Sequence, residues 1–285
     1  MLRNDAKRLS SKRAEMQMLA SEFQDRIRSG ELSEEEDITS RLLERIGSTL
    51  TFSDGDLKVV TKAVTVGKQK EEPASGADIA VVSYYQSPKV VITKGFLAQA
   101  KNLNLQQKMY QPGWGRLQNQ CKKMLERTNE SFVWLYSGTS LRVHKANAVD
   151  CLKSQTVDDL PYMYLKTFLI DYLICHHGDP NISFRDLPRL QAIIEEQGVA
   201  FALLVLASSG PDSDPHKISP LQPDGGPTTL SKIVEKLGGE PIEKANQRRD
   251  RSFDTNVEGL LSEELRSTSK PNKKTKKEFA SRETE

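Results

Sequence analysis

Apolar residues recur at helical spacing through residues 4–29: Met16, Leu19, Ala20, Phe23 and Ile27 share one face, with charges between them. Asn4 can cap this segment and Gly30 can end it, so one amphipathic helix is expected, packed on the core or on a second subunit. Lys7, Arg8, Lys12 and Arg13 cluster early and leave a DNA-contacting helix as its other reading. A second helix opens at Ser33-Glu34-Glu35-Glu36, where Ser33 and Glu36 have capping-box spacing. Its buried stripe is Ile38, Leu42, Leu43, Ile46 and Leu50. At about 100° per residue, Glu35 falls near the centre of that stripe and Glu44 on the opposite face. The period then shortens. Residues 57–66 (LKVVTKAVTV) read as a strand, and 67–74 as a charged loop holding Glu71, Glu72 and Pro73.

The strongest pattern runs from Ser75 to Asn102. Two apolar runs rich in β-branched residues, 79–85 and 90–100, flank a turn signal at Gln86-Ser87-Pro88-Lys89, which predicts an antiparallel hairpin. A turn centred between Ser87 and Pro88 sets Asp78 opposite Leu97. One β-bulge, with Gly95 as its natural site, brings Asp78 beside Gln99. Residues 103–111 are ambiguous and are broken by Pro112-Gly113-Trp114-Gly115. A helix follows over 116–127 with Leu117, Cys121, Met124 and Leu125 inward, then strands over 131–137 (SFVWLYS) and 141–144.

From Asp150 the pattern changes. Residues 161–177 are apolar almost all round and predict a buried helix, closed by His176-His177 as favourable C-terminal cations. A helix over 188–197 and an apolar segment over 199–207 complete this part. After Ser208 the chain turns to Ser, Gly, Pro, Asp and Lys, with a short helix possible over 229–237 and five lysines within 270–277. The expected organisation is an N-terminal amphipathic helix (1–31), a core (32–149), a helical appendage packed on it (150–208) and a mostly flexible polar and basic tail (209–285).

Composition narrows the classes. A chain of 285 residues holds one good-sized domain plus extensions. A net charge of +2 provides no global basic field, so a nucleic-acid partner requires a local basic surface. Cys121, Cys151 and Cys175 are scattered, and neither they nor His144, His176, His177 and His216 have metal-ligand spacing. No apolar run approaches ~18 residues and no signal-peptide core is evident, so the expectation is a cytoplasmic protein with no membrane partner.

Three polar residues stand in the hairpin where buried strands normally exclude them. Asp78 opens the first strand, and Gln99 and Lys101 lie two apart, hence on one face, near the end of the second. An acid, an amide oxygen and an ammonium thus meet at one end of the hairpin. This arrangement resembles the active-site hairpin of the PD-(D/E)XK nuclease superfamily, in the D…QxK form of Mrr-like restriction enzymes and some junction-resolving nucleases. The resemblance covers roughly residues 33–145 and includes the order helix, three strands, helix, strand.

It implies an α/β protein with a restriction-endonuclease-like core: an α-β-β-β-α-β mixed sheet flanked by helices, with an N-terminal helix and a C-terminal helical appendage. It implies a Mg²⁺ site, with Mn²⁺ as substitute. Asp78 would be the main ligand, Gln99 would offer its side-chain carbonyl, Ala100 its backbone carbonyl, and Glu35 a second carboxylate directly or through water. Lys101 would orient the attacking water or stabilise charge on the phosphate. Gln120, on the following helix, is either an extra polar contact or simply exposed.

The implied function is metal-dependent hydrolysis of phosphodiester bonds, with DNA favoured by the QxK form, in bacterial restriction, phage defence or DNA repair. A second copy or a defence-system protein are the implied protein partners. The alternative is a degenerate nuclease fold that binds nucleic acid or a partner protein, since Gln99 in place of the usual acid weakens the metal site. The blander reading makes Asp78 a strand opener, Gln99 and Lys101 a solvent-facing strand end, and Glu35 a first-turn acid favoured by the helix dipole.

Overall fold

The computed structural model describes residues 9–66, 73–102, 111–152, 160–182, 187–210, 240–248 and 250. The chain divides into two units, residues 1–243 and 244–285, the second lying almost wholly outside the described residues. The first is an α/β unit built on one open, mixed and mostly antiparallel sheet with helices on both faces.

Its elements in order are α1 (Leu9–Arg28), α2 (Glu35–Thr49), β1 (Phe52–Asp54), β2 (Leu57–Thr65), β3 (Ile79–Gln86), β4 (Val91–Asn102), α3 (Gln111–Leu125), β5 (Ser131–Tyr136), β6 (Leu141–Lys145), α4 (Ala146–Cys151), β7 (Met163–Tyr164), α5 (Leu165–Leu173), α6 (Leu187–Gln197), β8 (Phe201–Ser209) and β9 (Glu240–Pro241). The sheet order is β1-β2-β8-β3-β4-β5-β6-β7, with β9 also on β2. The pairs β3–β8 and β4–β5 are parallel and the rest antiparallel.

Alternation along the central strands divides the core. Ile79, Val81, Phe96, Ala98, Phe132 and Trp134 face α1, α2 and α5. Ala80, Val82, Leu97, Val133 and Leu135 face α3, α4 and α6. Both faces are covered, so the central strands read as unbroken apolar runs. Phe96 anchors the first face edge-on to Phe132, Phe168 and Tyr172, with ring centroids 5.5, 5.0 and 4.9 Å away.

The hairpin forms without the expected bulge. Ile79 pairs with Ala98 and Gln86 with Val91, and the ladder passes straight through Gly95, which pairs with Val82. The turn closes between Ser87 and Val90: the Ser87 N–H donates to Val90 O at 2.9 Å, and Ser87 Oγ accepts from the Val90 N–H at 3.1 Å. That shifts the register and brings Asp78 level with Gln99 directly. Gly95 serves another purpose. Its N–H and C=O bond the backbone of Asp179 at 3.0 and 2.8 Å, and a Cβ there would collide with Ile182 O.

Residues 150–208 are not a helical appendage. The segment supplies β8, which lies between β2 and β3 and separates β2 from the hairpin. Phe201, Leu203, Val205 and Ala207 fill one core, and Ala202, Leu204 and Leu206 the other. The expected helix over 161–177 is shorter, because β7 precedes α5 and pairs with β6.

The tail also corrects in part. β9 pairs with Val64 and Thr65, and Ile242 is buried. Residues 229–237 and 270–277 lie outside the described residues, as do Lys7, Arg8 and most of 103–111.

Two helix starts also differ from expectation. The N-cap of α2 is Glu34, with no side-chain cap bond, while Ser33 O accepts from Asn102 Nδ2 at 2.7 Å. α3 begins at Gln111, ahead of Pro112, which the first turn tolerates because its missing N–H has no helical partner there. No helix of the described residues is long and apolar enough to cross a membrane.

Candidate metal and catalytic site

Asp78 sits one residue before β3, with its backbone held from both sides. Its N–H donates to Ala98 O on β4 at 3.0 Å, and its C=O accepts from the N–H groups of Ala200 and Phe201 at 3.1 and 3.0 Å. The loop leading to it is fixed as well. Ser75 Oγ donates to Gln197 O at the end of α6 at 2.6 Å. Gly76, at φ +70°, lies against α3 so closely that a Cβ would stand 2.6 Å from Gln120 O.

The side chains complete the arrangement. Asp78 Oδ2 accepts from the Ala100 N–H at 3.0 Å and from the Gln99 side-chain amide. The same Gln99 Nε2 donates to Ala100 O at 3.1 Å. Gln99 is buried, and its Oε1 has no hydrogen-bond partner. One donor therefore occupies the point on which a carboxylate oxygen and a backbone carbonyl converge, while the amide's own oxygen is orphaned in the interior. Such an orphan costs ~1–3 kcal/mol.

Glu35 and Lys101 form the next layer. Lys101 Nζ meets Glu35 Oε1 at 2.8 Å, and Glu35 Oε2 accepts the Asn102 N–H at 2.9 Å. The first residue of α2 thereby clamps the end of β4. Thr39 Oγ1 ties this turn down through Glu35 O at 2.7 Å and contacts the buried Tyr136 hydroxyl at 3.4 Å.

Electrostatics single out Asp78. Burial pushes its carboxyl up to about 6 from 3.8, assisted by the Glu35 carboxylate. The Lys101 ammonium, the Ala100 N–H and the Arg116 guanidinium pull the other way without prevailing. Burial likewise raises the Tyr136 hydroxyl, with the Glu35 and Asp78 charges adding and the Thr39 hydrogen bond opposing.

All four residues expected from the sequence, Asp78, Gln99, Lys101 and Glu35, thus gather at one end of β4, together with Ala100. Gln120 corrects from exposed to buried, and its Oε1 also lacks a partner. Its place on the Leu117–Cys121–Met124 stripe is the spacing signal for that burial. Arg116, one turn earlier on α3, was not singled out by the sequence, although its charge acts on Asp78. Asn102 was missed too, and only its position next to Lys101 pointed to it.

Among the described residues no group of three or more His, Cys, Asp or Glu side chains is placed to hold a metal ion. The oxygen set of Asp78, Gln99 and Ala100, with Glu35 nearby, is of a different kind, since two of its members are carbonyls. In comparisons with protein-family models, curated proteins and solved structures, nothing matched this chain.

Proposed function

We propose that this chain is a metal-dependent nuclease that hydrolyses phosphodiester bonds in nucleic acid, with DNA as the first substrate to test. The observation that carries the reading is the Gln99 amide. Its nitrogen bridges Asp78 Oδ2 and Ala100 O while its oxygen is buried without a partner. A half-turn of the amide would direct Oε1 at two other oxygens, an arrangement that a cation between the three would stabilise. Asp78, Gln99 Oε1 and Ala100 O then form the hard-oxygen set that Mg²⁺ or Mn²⁺ takes, with Glu35 adding a carboxylate directly or through water. That fit agrees with the D…QxK resemblance. With the three-residue β1 set aside, the succession α2, β2, β3, β4, α3, β5 agrees with a restriction-endonuclease-like core, into whose sheet β8 would be an insertion.

Bound there, Mg²⁺ supplies charge neutralisation at the phosphate and lowers the pKa of a water nucleophile. The chain's own residues hold and orient. Asp78 fixes one side of the site through a backbone that neighbouring strands pin. Glu35 keeps the Lys101 ammonium beside the ligand oxygens, where it orients the attacking water or stabilises charge growing on the phosphate. Arg116 adds positive charge from α3. A role in restriction, phage defence or repair, with a second copy or a defence-system partner, follows from the resemblance alone.

The test is cleavage of supercoiled plasmid and of single-stranded DNA with Mg²⁺ or Mn²⁺. Wild type should cut only with metal, Asp78→Asn should not cut, and Gln99→Glu, which restores the commoner ligand, should be tolerated. A second reading has its own observation: Gln99 already occupies the carboxylate of Asp78, and an amide stands where an acid is usual. On that reading the fold is a non-hydrolytic nucleic-acid-binding or protein-interaction module, and wild type would bind without cutting.

A further inference from the structure

At the far edge of the sheet, Tyr162 and Tyr164 are 39% and 48% exposed. Their rings meet edge to face with centroids 5.4 Å apart. The Arg142 guanidinium lies 4.2 Å from the Tyr162 ring centre, the Lys166 ammonium 5.6 Å from that of Tyr164, and the His144 ring 5.9 Å from Tyr162. Two large rings in water with cations about them form a compact aromatic and basic surface.

The register ties this surface to the candidate site. Lys101 pairs with Leu135, Leu135 with Arg142, and Arg142 with Tyr164. Paired residues point to the same face of a sheet, and each strand step is about 4.8 Å, so the tyrosine edge lies ~14 Å from Lys101 along one row. Leu135 is buried, so a strand joining the two would pass over the β5–β6 turn, residues 137–140, at the end of the sheet. β4 finishes there at Asn102, β5 finishes at Tyr136 and β6 begins at Leu141. A few nucleotides of an extended strand span that distance.

We infer that Tyr162 and Tyr164, flanked by Arg142 and Lys166, form a stacking platform for an unpaired base of a nucleic-acid strand whose phosphate lies at Lys101, an inference that rests on the nuclease reading above. A duplex keeps its base faces stacked inside, so exposed rings engage only unpaired or splayed bases. The cations attract the phosphates on either side. The substrate class is therefore a single strand, or a duplex with a single-stranded extension.

Anisotropy of a fluorescein-labelled oligothymidylate and of a blunt duplex of equal length, measured with EDTA present, tests it on the full chain. Replacing both tyrosines by alanine should weaken oligothymidylate binding by about ten-fold or more and duplex binding far less, while the phenylalanine pair keeps both. On wild type, an oligothymidylate carrying 5-iodouracil should photo-crosslink to Tyr162 or Tyr164, a readout that does not depend on how the variants fold. Crosslinks elsewhere, equal losses on both probes, or no loss at all would overturn the platform and leave the tyrosines to a protein contact. The two readings separate through Asp78→Asn. If that variant cuts like wild type while the crosslink maps to the tyrosines, the metal site falls and the platform stands. If it is inactive and the crosslink maps elsewhere, the reverse holds.

Discussion

Asp78→Asn should make the metal-free protein more stable at pH 8 and leave it unchanged at pH 4. The sign follows from the carboxyl's displacement from 3.8 to about 6 on folding, which burial dominates. A folded-state pKa above the unfolded value means that the folded chain binds more protons between those two pH values. The group's contribution is therefore most favourable below 3.8 and is lost as pH rises through about 6. The full displacement corresponds to ~3 kcal/mol. Asp78 is only partly buried, so the realised cost is about 1–2 kcal/mol.

Asparagine removes that cost and keeps the local bonds. Both contacts, from the Ala100 N–H and the Gln99 amide, fall on the single oxygen Oδ2, and an amide oxygen accepts both. For a unit of this size, 1 kcal/mol moves the melting temperature by roughly 2–4 °C. Thermal melts in EDTA should show the variant roughly 2–8 °C above wild type at pH 8, converging at pH 4. Mg²⁺ should then raise wild type and not the variant, because a ligand stabilises only the state that binds it. A variant less stable than wild type by the same amount at both pH values would refute burial as the dominant influence on this carboxyl.

Lys101→Ala should fold normally, since its partly exposed pair with Glu35 contributes at most ~1 kcal/mol. In a cleavage assay it should lose on the order of 10²–10³-fold in rate while still shifting a DNA or RNA probe; equal cutting by both proteins would make Lys101 a plain strand-end residue. Glu35→Gln should lower the cleavage rate while Glu44→Gln should not, and equal effects would remove the distinction between the two helix faces. A chain ended after Ser209 should melt several degrees below one ended after Glu243, because it loses β9 and the buried Ile242, whose side chain contributes ~1.5–3 kcal/mol. Coincident melts would show that β9 adds nothing to β2.

What was legible in the sequence was local. The hairpin and the stripe of α2 follow from periods of two and 3.6 read over short windows, which put Gln99 and Lys101 on one strand face and Glu35 on the buried stripe, while Glu35 was joined to the hairpin only through the resemblance. The register was not legible, because it depends on the Ser87 hydroxyl and amide closing the turn at Val90, which strand patterning does not encode. The cap of α2 was misread because the end of β4, distant in sequence, holds Ser33 through its carbonyl. The place of β8 was the largest loss. An apolar run over 199–207 is equally a buried helix or a buried strand by pattern, and only its neighbours decide.

That lost element bears on the site itself. Phe201, the first residue of β8, and Ala200 just before it donate the two N–H groups that hold Asp78 O, and β4 accepts the Asp78 N–H, so the chain on both sides fixes the residue before its side chain makes any contact. A carboxylate on a free loop would swing into water rather than accept burial that raises its pKa. Pinned between β4 and β8, with the preceding loop locked to α3 through Gly76 and to α6 through Ser75, Asp78 cannot do so. The unfavourable charge persists because the sheet over-determines the backbone that carries it. A cation bound at Asp78, Gln99 and Ala100 would offset that charge and provide the buried Gln99 oxygen with a partner. The two most costly features at this end of the sheet, a desolvated carboxylate and an orphaned amide oxygen, would then be relieved by the same ligand.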